Sequence, residues 1–360
     1  LMIEKEQSNC VLLIGTDYRG RGGIASVLAQ YKEMFECFHF VATSRQAGKI
    51  KNLLIALGAF VICAFRMADP KIAIVHIHTA SHLDFFRHAF FVVLAKCFHK
   101  KVLFHLHGGD FERFYYRHPK LTSYVCHKAN ALIAVSSYFE QLFHSLHLSA
   151  HIYLLHNATT PPNTMPFKKD GINRNSRFQL LYIGSINENK GCFDVIKCIG
   201  SHKEELGRKI VYHLAGNDET GKFSAVIRQY GLESCVILHG WVDKEKKIDL
   251  LQNADCYIQP SYFESFGLSI LEAMAHGLPV ITSPTGGIPD LVDDGITGLY
   301  VAPGDTDGIF SSIKTLMNAP ETRRKMGENA IKKASNFYIG KAEKKLISIY
   351  HAVLTDKKKK

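Results

Sequence analysis

An α/β chain built on two doubly wound parallel sheets is what this sequence predicts, on three observations. Short apolar runs alternate with helix-length segments from residue 10 to 156, and the alternation resumes from residue 178 to 282. Such alternation marks a parallel sheet with helices on both faces. Between the two series, Asn157 to Arg177 holds Pro161, Pro162, Pro166 and Gly171 among several Asn, which is linker composition. A length of 360 residues suits two domains. The expected division is 1–165, 172–335 and a helical segment 336–360.

In chain order, the compact run Cys10 to Gly15 reads as a buried parallel strand. Tyr18-Arg19-Gly20-Arg21-Gly22-Gly23 and a helical pattern over Ile24 to Met34 follow it. Strand, glycine loop and helix is a phosphate-cradling arrangement. The spacing is not G-x-G-x-x-G, and no ribose-binding acid follows at the distance a dinucleotide fingerprint requires. The apolar run Leu53 to Phe65 covers 13 residues, too few to span a bilayer. It is expected to be buried between sheet layers, with membrane docking as the competing reading. Further strands are expected at Ile72–His78, Val102–His107, Ala131–Val135 and Ile152–His156. Phe111 to Arg117 mixes rings and cations as interfacial segments do. After the linker come strands at Gln179–Gly184, Lys209–Ala215, Val236–Leu238, Cys256–Gln259 and Pro279–Thr282. Helices near Cys192–His202 and Lys222–Tyr230 separate the first three, and a helical pattern closes the chain from Tyr338 to Leu354.

Composition excludes several classes. With 46% hydrophobic and 21% charged residues, the chain is a folded protein rather than a disordered one. Nine scattered cysteines without a C-x-x-C pair point to reduced thiols, not a disulfide scaffold or zinc site. No charged n-region with a cleavage site opens the sequence, so a cytoplasmic location is expected. The formal charge of +11 asks for an anionic partner. No nucleic-acid motif accompanies the spread basic residues, so nucleic acid is not expected. An anionic membrane surface is, with Lys49-Ile50-Lys51, Lys100-Lys101 and Arg113 to Lys120 as contact points.

The most informative stretch is Glu264-Ser265-Phe266-Gly267-Leu268-Ser269-Ile270-Leu271-Glu272, which follows a strand and opens a helix near Leu268. A helix start offers unpaired N–H groups and the positive end of the macrodipole. Gly267 lets a phosphate approach the backbone. Glu264 on the turn can reach a polyhydroxyl group, and Glu272, one helical turn further in, can accept from a sugar diol. A diphosphate flanked by two hydroxyl-rich groups outlines a nucleotide sugar. The pairs His76-Ile77-His78 and His105-Leu106-His107 each place two rings on one strand face, a geometry zinc sites use, but no third ligand is indicated. Asp305-Thr306-Asp307 reads as turn and helix-cap chemistry.

The string Pro260 to Leu268, continuing through Glu272-Ala273-Met274-Ala275-His276-Gly277-Leu278-Pro279-Val280-Ile281, resembles the E-x7-E signature of family 4 retaining glycosyltransferases of the GT-B fold. Gly184-Ser185-Ile186-Asn187-Glu188-Asn189-Lys190-Gly191 is similar to that family's G-R-L-x-x-x-K-G motif. Lys190 matches, while Ser185 stands where Arg is usual and removes a bidentate phosphate clamp. His107-Gly108 resembles the family's H-G near the transferred sugar, and Gly22-Gly23 its first-domain glycine loop. His213 to Asp218 resembles the strand and loop near the nucleobase, with Gly216 and Asp218 as contacts; Gly240-Trp241-Val242 sits where that family's backbone meets the base, with burial of Trp241 in the core as the other reading.

The resemblance implies two Rossmann-like domains facing a cleft, closing on a UDP- or GDP-sugar. His107, Lys190 and Glu264 would be catalytic. Gly22, Gly23, Ser185, Lys190, Gly216, Glu264, Ser265, Phe266, Gly267, Leu268, Ser269 and Glu272 would bind the donor, without metal or cofactor. Family habit and basic charge add a lipid-linked saccharide acceptor, surface-polysaccharide assembly and a position on the inner membrane face. The final helix would pack on the first domain. A nucleotide-sugar epimerase and a silent carbohydrate- or membrane-binding subunit are the alternatives.

Overall fold

The computed structural model describes residues 3–162, 177–218 and 220–356. Most of the expected linker, 163–176, lies outside them. The chain divides into two compact units, Leu1–Ala158 with Tyr338–Lys360, and Thr159–Phe337.

The first unit carries a six-stranded parallel sheet of β1 (Val11–Thr16), β2 (Phe40–Ser44), β3 (Ile74–Thr79), β4 (Lys101–Leu106), β5 (Ala131–Ala134) and β6 (Ile152–Leu154), in the order β2-β1-β3-β4-β5-β6. Strands β1, β3, β4 and β5 are buried along nearly their whole length, as strands covered on both faces must be. The helix Ile339–Thr355 belongs to this unit and packs on the helix Gly23–Met34, with Tyr350 reaching the Nδ1 of His76 at 2.8 Å.

The second unit repeats the plan with β7 (Phe178–Ile183), β8 (Ile210–Ala215), β9 (Val236–Gly240), β10 (Cys256–Gln259), β11 (Val280–Thr282) and β12 (Gly298–Tyr300), ordered β12-β11-β10-β7-β8-β9. The order reverses between β7 and β10. In an open parallel sheet, ligands bind outside the carboxyl ends of the strands at such a reversal. Its core is apolar, with Ile196, Ile199, Phe223 and Ile258 fully or almost fully buried.

Two edge strands, β2 and β12, fall outside the strands expected from sequence. An edge strand pairs on one side only and can form on a shorter, more polar segment. A larger correction concerns Leu53 to Phe65. The helix there runs from Lys49 to Ala68, and only Ala59, Cys63 and Met67 are buried. Leu53, Leu54, Leu57, Val61 and Phe65 are all more than half exposed. The expected burial between layers fails because the helix touches β2 and the helix Leu83–Cys97 along one narrow stripe and has no layer above it.

Candidate active site

At the reversal point of the second sheet, the loops after β7 and β10 bring Lys190, Glu264 and the helix start at Leu268 together. Gln259, the last residue of β10, is 1% exposed and acts as a hub. Its Oε1 accepts from Tyr257 at 2.8 Å and Ser269 at 3.0 Å, so its Nε2 is turned toward Glu264 Oε1 at 2.5 Å and Ser261 Oγ at 3.1 Å. Lys190 Nζ donates to the same Glu264 oxygen at 2.5 Å. Gln259, Lys190 and, at 3.5 Å, Ser261 Oγ thus all converge on Oε1. Gly287 N holds the Glu264 carbonyl at 2.9 Å, which sets the turn. Gly286, at φ +56°, passes so close that a Cβ would lie 1.9 Å from that carbonyl oxygen.

Gly267 adopts φ +95° and ψ 53°, the left-handed region that favours glycine, and caps the helix Leu268–Ala275. The first main-chain turn closes with Leu271 N on Gly267 O, so the amides of Leu268, Ser269 and Ile270 precede the helical ladder and face the loop. Phe266 differs from its neighbours. Its side chain is 1% exposed and packs edge-on against Phe337, so it anchors the loop from below. Ser265 is half-buried on the same turn.

The loop after β7 is tied to this one by Tyr262 N on Asn189 O at 2.9 Å. Gly191, at φ +73°, would place a Cβ 2.2 Å from Pro260 O. Only glycine lets the two loops approach that closely, and the approach delivers Lys190 to Glu264. The Ser185 carbonyl accepts from Tyr182 at 2.7 Å. Glu272, one turn into the helix, is paired through Oε1 with Lys247 Nζ at 2.8 Å. Lys247 was not singled out by sequence reasoning; its signal was the basic run Lys244-Glu245-Lys246-Lys247. It brings a second ammonium to a site that lacks the usual Arg at Ser185. Gln259 was also missed, because a strand-end amide has no distinctive spacing.

Near β8 the expectations divide. Gly216 has a packing reason of its own: a Cβ there would lie 1.7 Å from Gly184 O. The Asp218 carboxylate is turned onto its own loop, accepting from the amides of Thr220, Gly221 and Phe223, so it caps that loop. Trp241 is 45% exposed and therefore is not core. Asp305 accepts from Gly308 N and caps the helix Thr306–Asn318, as its spacing predicts.

In the first unit, Gly22 at φ +113° starts the helix Gly23–Met34, and both glycines face open space. Asp17, just upstream, binds Arg19 and Arg45. Hydrogen bonding by Arg19 leads in holding its carboxyl at about 2. His107, just past the end of β4, is 7% exposed. Burial pushes its pKa down to about 3, so the ring is a neutral donor and acceptor at pH 7. Its Nε2 meets His78 Nδ1 at 3.0 Å.

The parallel register sets His78 opposite His105 and so supplies the third ligand that spacing along the chain could not show. Nitrogens of His76, His78 and His105 lie within 4.8 Å of one another, a set that could hold a metal ion. All three are driven toward the neutral form, chiefly by burial. The rings of His76 and His78 stack at 4.4 Å.

Residues 166–333 match the family model of glycosyl transferases group 1. That segment, a little under half of the chain, is what is similar to the group 1 glycosyl transferases. The matched segment contains Lys190, Gln259, Glu264 and Glu272, and so the whole cluster built above. Among curated proteins, N-acetyl-alpha-D-glucosaminyl L-malate synthase of Bacillus anthracis is 30% identical over 192 residues, 53% of this chain and 49% of that protein. D-inositol 3-phosphate glycosyltransferase of Corynebacterium diphtheriae is 40% identical over 106 residues, 29% of this chain and 25% of that one. The alignments thus span about half or less of these relatives. Among solved structures, HepE of Anabaena in complex with UDP superposes with a TM-score of 0.73 at 15% identity, over 95% of this chain and 99% of that one. Sucrose-phosphate synthase from Thermosynechococcus elongatus gives 0.77 at 18%, over 96% and 99%. At these identities the likeness shows the fold, and the fold is GT-B, with two Rossmann-like domains.

Proposed function

We propose that the chain is a retaining glycosyltransferase that moves a hexosyl group from a UDP- or GDP-sugar to an acceptor hydroxyl. The observation that carries this reading is Glu264, aimed by Gln259 and Lys190 beside the open amides of a helix start. Those groups suit one substrate shape: a diphosphate between two polyhydroxyl groups.

In this reading the amides of Leu268 and Ser269 and the Lys190 ammonium hold the diphosphate, with Gly267 permitting the approach. Glu264 Oε2 accepts from hydroxyls of the transferred sugar, and Glu272 from the ribose diol. Neutral His107 hydrogen-bonds a sugar hydroxyl or a phosphate oxygen. The bond from C1 to the diphosphate oxygen breaks while the acceptor oxygen bonds to C1 on the same face. The acceptor proton passes to the departing phosphate oxygen, whose growing charge Lys190 offsets. No protein nucleophile is required. Gly22 and Gly23 stand at a second helix start, where donor or acceptor anions would lodge.

The acceptor in this proposal is a lipid-linked glycan of bacterial surface-polysaccharide assembly, met at the inner face of the cytoplasmic membrane. The +11 charge and the exposed apolar helix of the first unit support that setting. The test is to offer purified protein a panel of nucleotide sugars with a short-chain lipid saccharide and read the anomeric configuration by NMR. Retained configuration with one donor is the expected result. Isomerised free donor would make the protein an epimerase, and no turnover with any pair would make it a silent binding subunit.

A further inference from the structure

The helix Lys49–Ala68 has 20 residues, about 30 Å of length. From Asn52 to Phe65 it contains no charged residue. One stripe, through Ala59, Cys63 and Met67, packs on β2 and the helix Leu83–Cys97, with Phe60 edge-on to Phe91 at 5.8 Å. Every other side of it is apolar and in water: Ile50 is 80% exposed, Leu54 64% and Phe65 77%. The adjoining helix adds Leu83 and Phe90. A helix that is apolar all round belongs in a protein core or a membrane, and a soluble surface rarely leaves such a patch uncovered.

We infer that this helix is a membrane-docking element, lying lengthwise in the interface of an anionic bilayer with its exposed side among the acyl chains. Charge selects the occupant. Lys49, Lys51 and Arg66 mark the two ends of the helix, and no acid occurs from residue 45 to 68. A second copy of the chain would set these cations against their own kind, whereas acidic headgroups complement them. A shallow depression lined by Gly48, Lys49, Ile50, Lys51 and Leu54 opens at the helix start, where two ammonium groups and the dipole favour a lipid phosphate. Length and composition would also suit a span. The packed stripe argues for lying flat, because crossing would strip Ala59, Cys63 and Met67 from their unit. The inference deepens the membrane part of the proposed function and is independent of the donor chemistry.

The test is flotation of the full chain with phosphatidylcholine vesicles, with and without phosphatidylglycerol. Wild type should float with the anionic vesicles and stay bound at salt concentrations that screen charge. A Leu54→Asp/Phe65→Asp variant should bind about a hundredfold more weakly. Its circular dichroism and its thermal shift with UDP or GDP should match wild type, which separates docking from folding and from donor binding. Leu57→Trp should blue-shift on vesicles and be quenched by brominated acyl chains. Two results would overturn the inference: unchanged flotation of the double-Asp variant, or a wild-type dimer that ignores vesicles and is split by the same substitutions.

Discussion

Lys190 and Glu264, 74 residues apart in the chain, meet as an ion pair with Nζ 2.5 Å from Oε1. The ammonium proposed to bind a phosphate is thus held by the carboxylate proposed to bind a sugar. Each positions the other, and the pair is partly shielded, with side chains 27% and 11% exposed. A donor entering between the helix start and this pair would meet both groups already oriented, the condition under which charge stabilisation is most effective.

Lys190→Ala should therefore depress turnover more than donor affinity. Removing one preorganised donor to a developing anion typically costs about 10²–10³ in kcat. Steady-state kinetics with the identified donor check this, and a wild-type rate would remove Lys190 from the mechanism.

Glu272→Ala should act on binding instead. Loss of a charged hydrogen bond to the ribose weakens nucleotide affinity by roughly 1.5–3 kcal/mol. Calorimetry with the free nucleoside diphosphate reads this directly. Unchanged affinity would mean that Glu272 serves only Lys247, its 2.8 Å partner.

Gly216→Ala should destabilise the second unit whatever its effect on nucleotide. The new methyl would enter the space of Gly184 O, 1.7 Å away, so β7 or β8 must shift. A cost of about 1–3 kcal/mol or more is expected from such overpacking. Urea titration measures it, and a wild-type midpoint would show that the two loops part freely.

Acid should unfold the first unit early. Burial lowers the pKa of His76 and His107 to about 3, while their unfolded values are near 6.5. Between those limits the unfolded chain binds protons that the folded unit refuses. Stability is therefore complete above about pH 6.5 and falls as pH drops toward 3. Each such histidine contributes a slope of about 1.4 kcal/mol per pH unit. Denaturant unfolding at pH 5 and pH 7 with a probe in this unit gives the slope, and a flat profile would contradict neutral burial.

Much of the site was legible because its signals are local. Gly267 before Leu268, Glu264 and Glu272 on either side, and Lys190 in a glycine-bounded loop after a strand are patterns over a few residues. The parts that were not legible depend on register. Gln259 matters only because Glu264 folds back over it, and Lys247 only because its helix delivers it to Glu272, 25 residues on. His105 joins His76 and His78 only because β3 and β4 pair in parallel at one particular offset.

By itself the sequence determined the alternation of strands and helices apart from the edge strands β2 and β12, the glycine-permitted turns, and the loop and helix start that carry Lys190, Glu264 and Glu272. Periodicity, turn chemistry and helix ends are properties of neighbours along the chain. Tertiary structure alone decided which strand lies beside which, and hence that the loops after β7 and β10 share one site. It also decided that the apolar segment Leu53 to Phe65 faces outward. Burial is settled by what packs above a helix, and nothing within the segment encodes whether that layer exists.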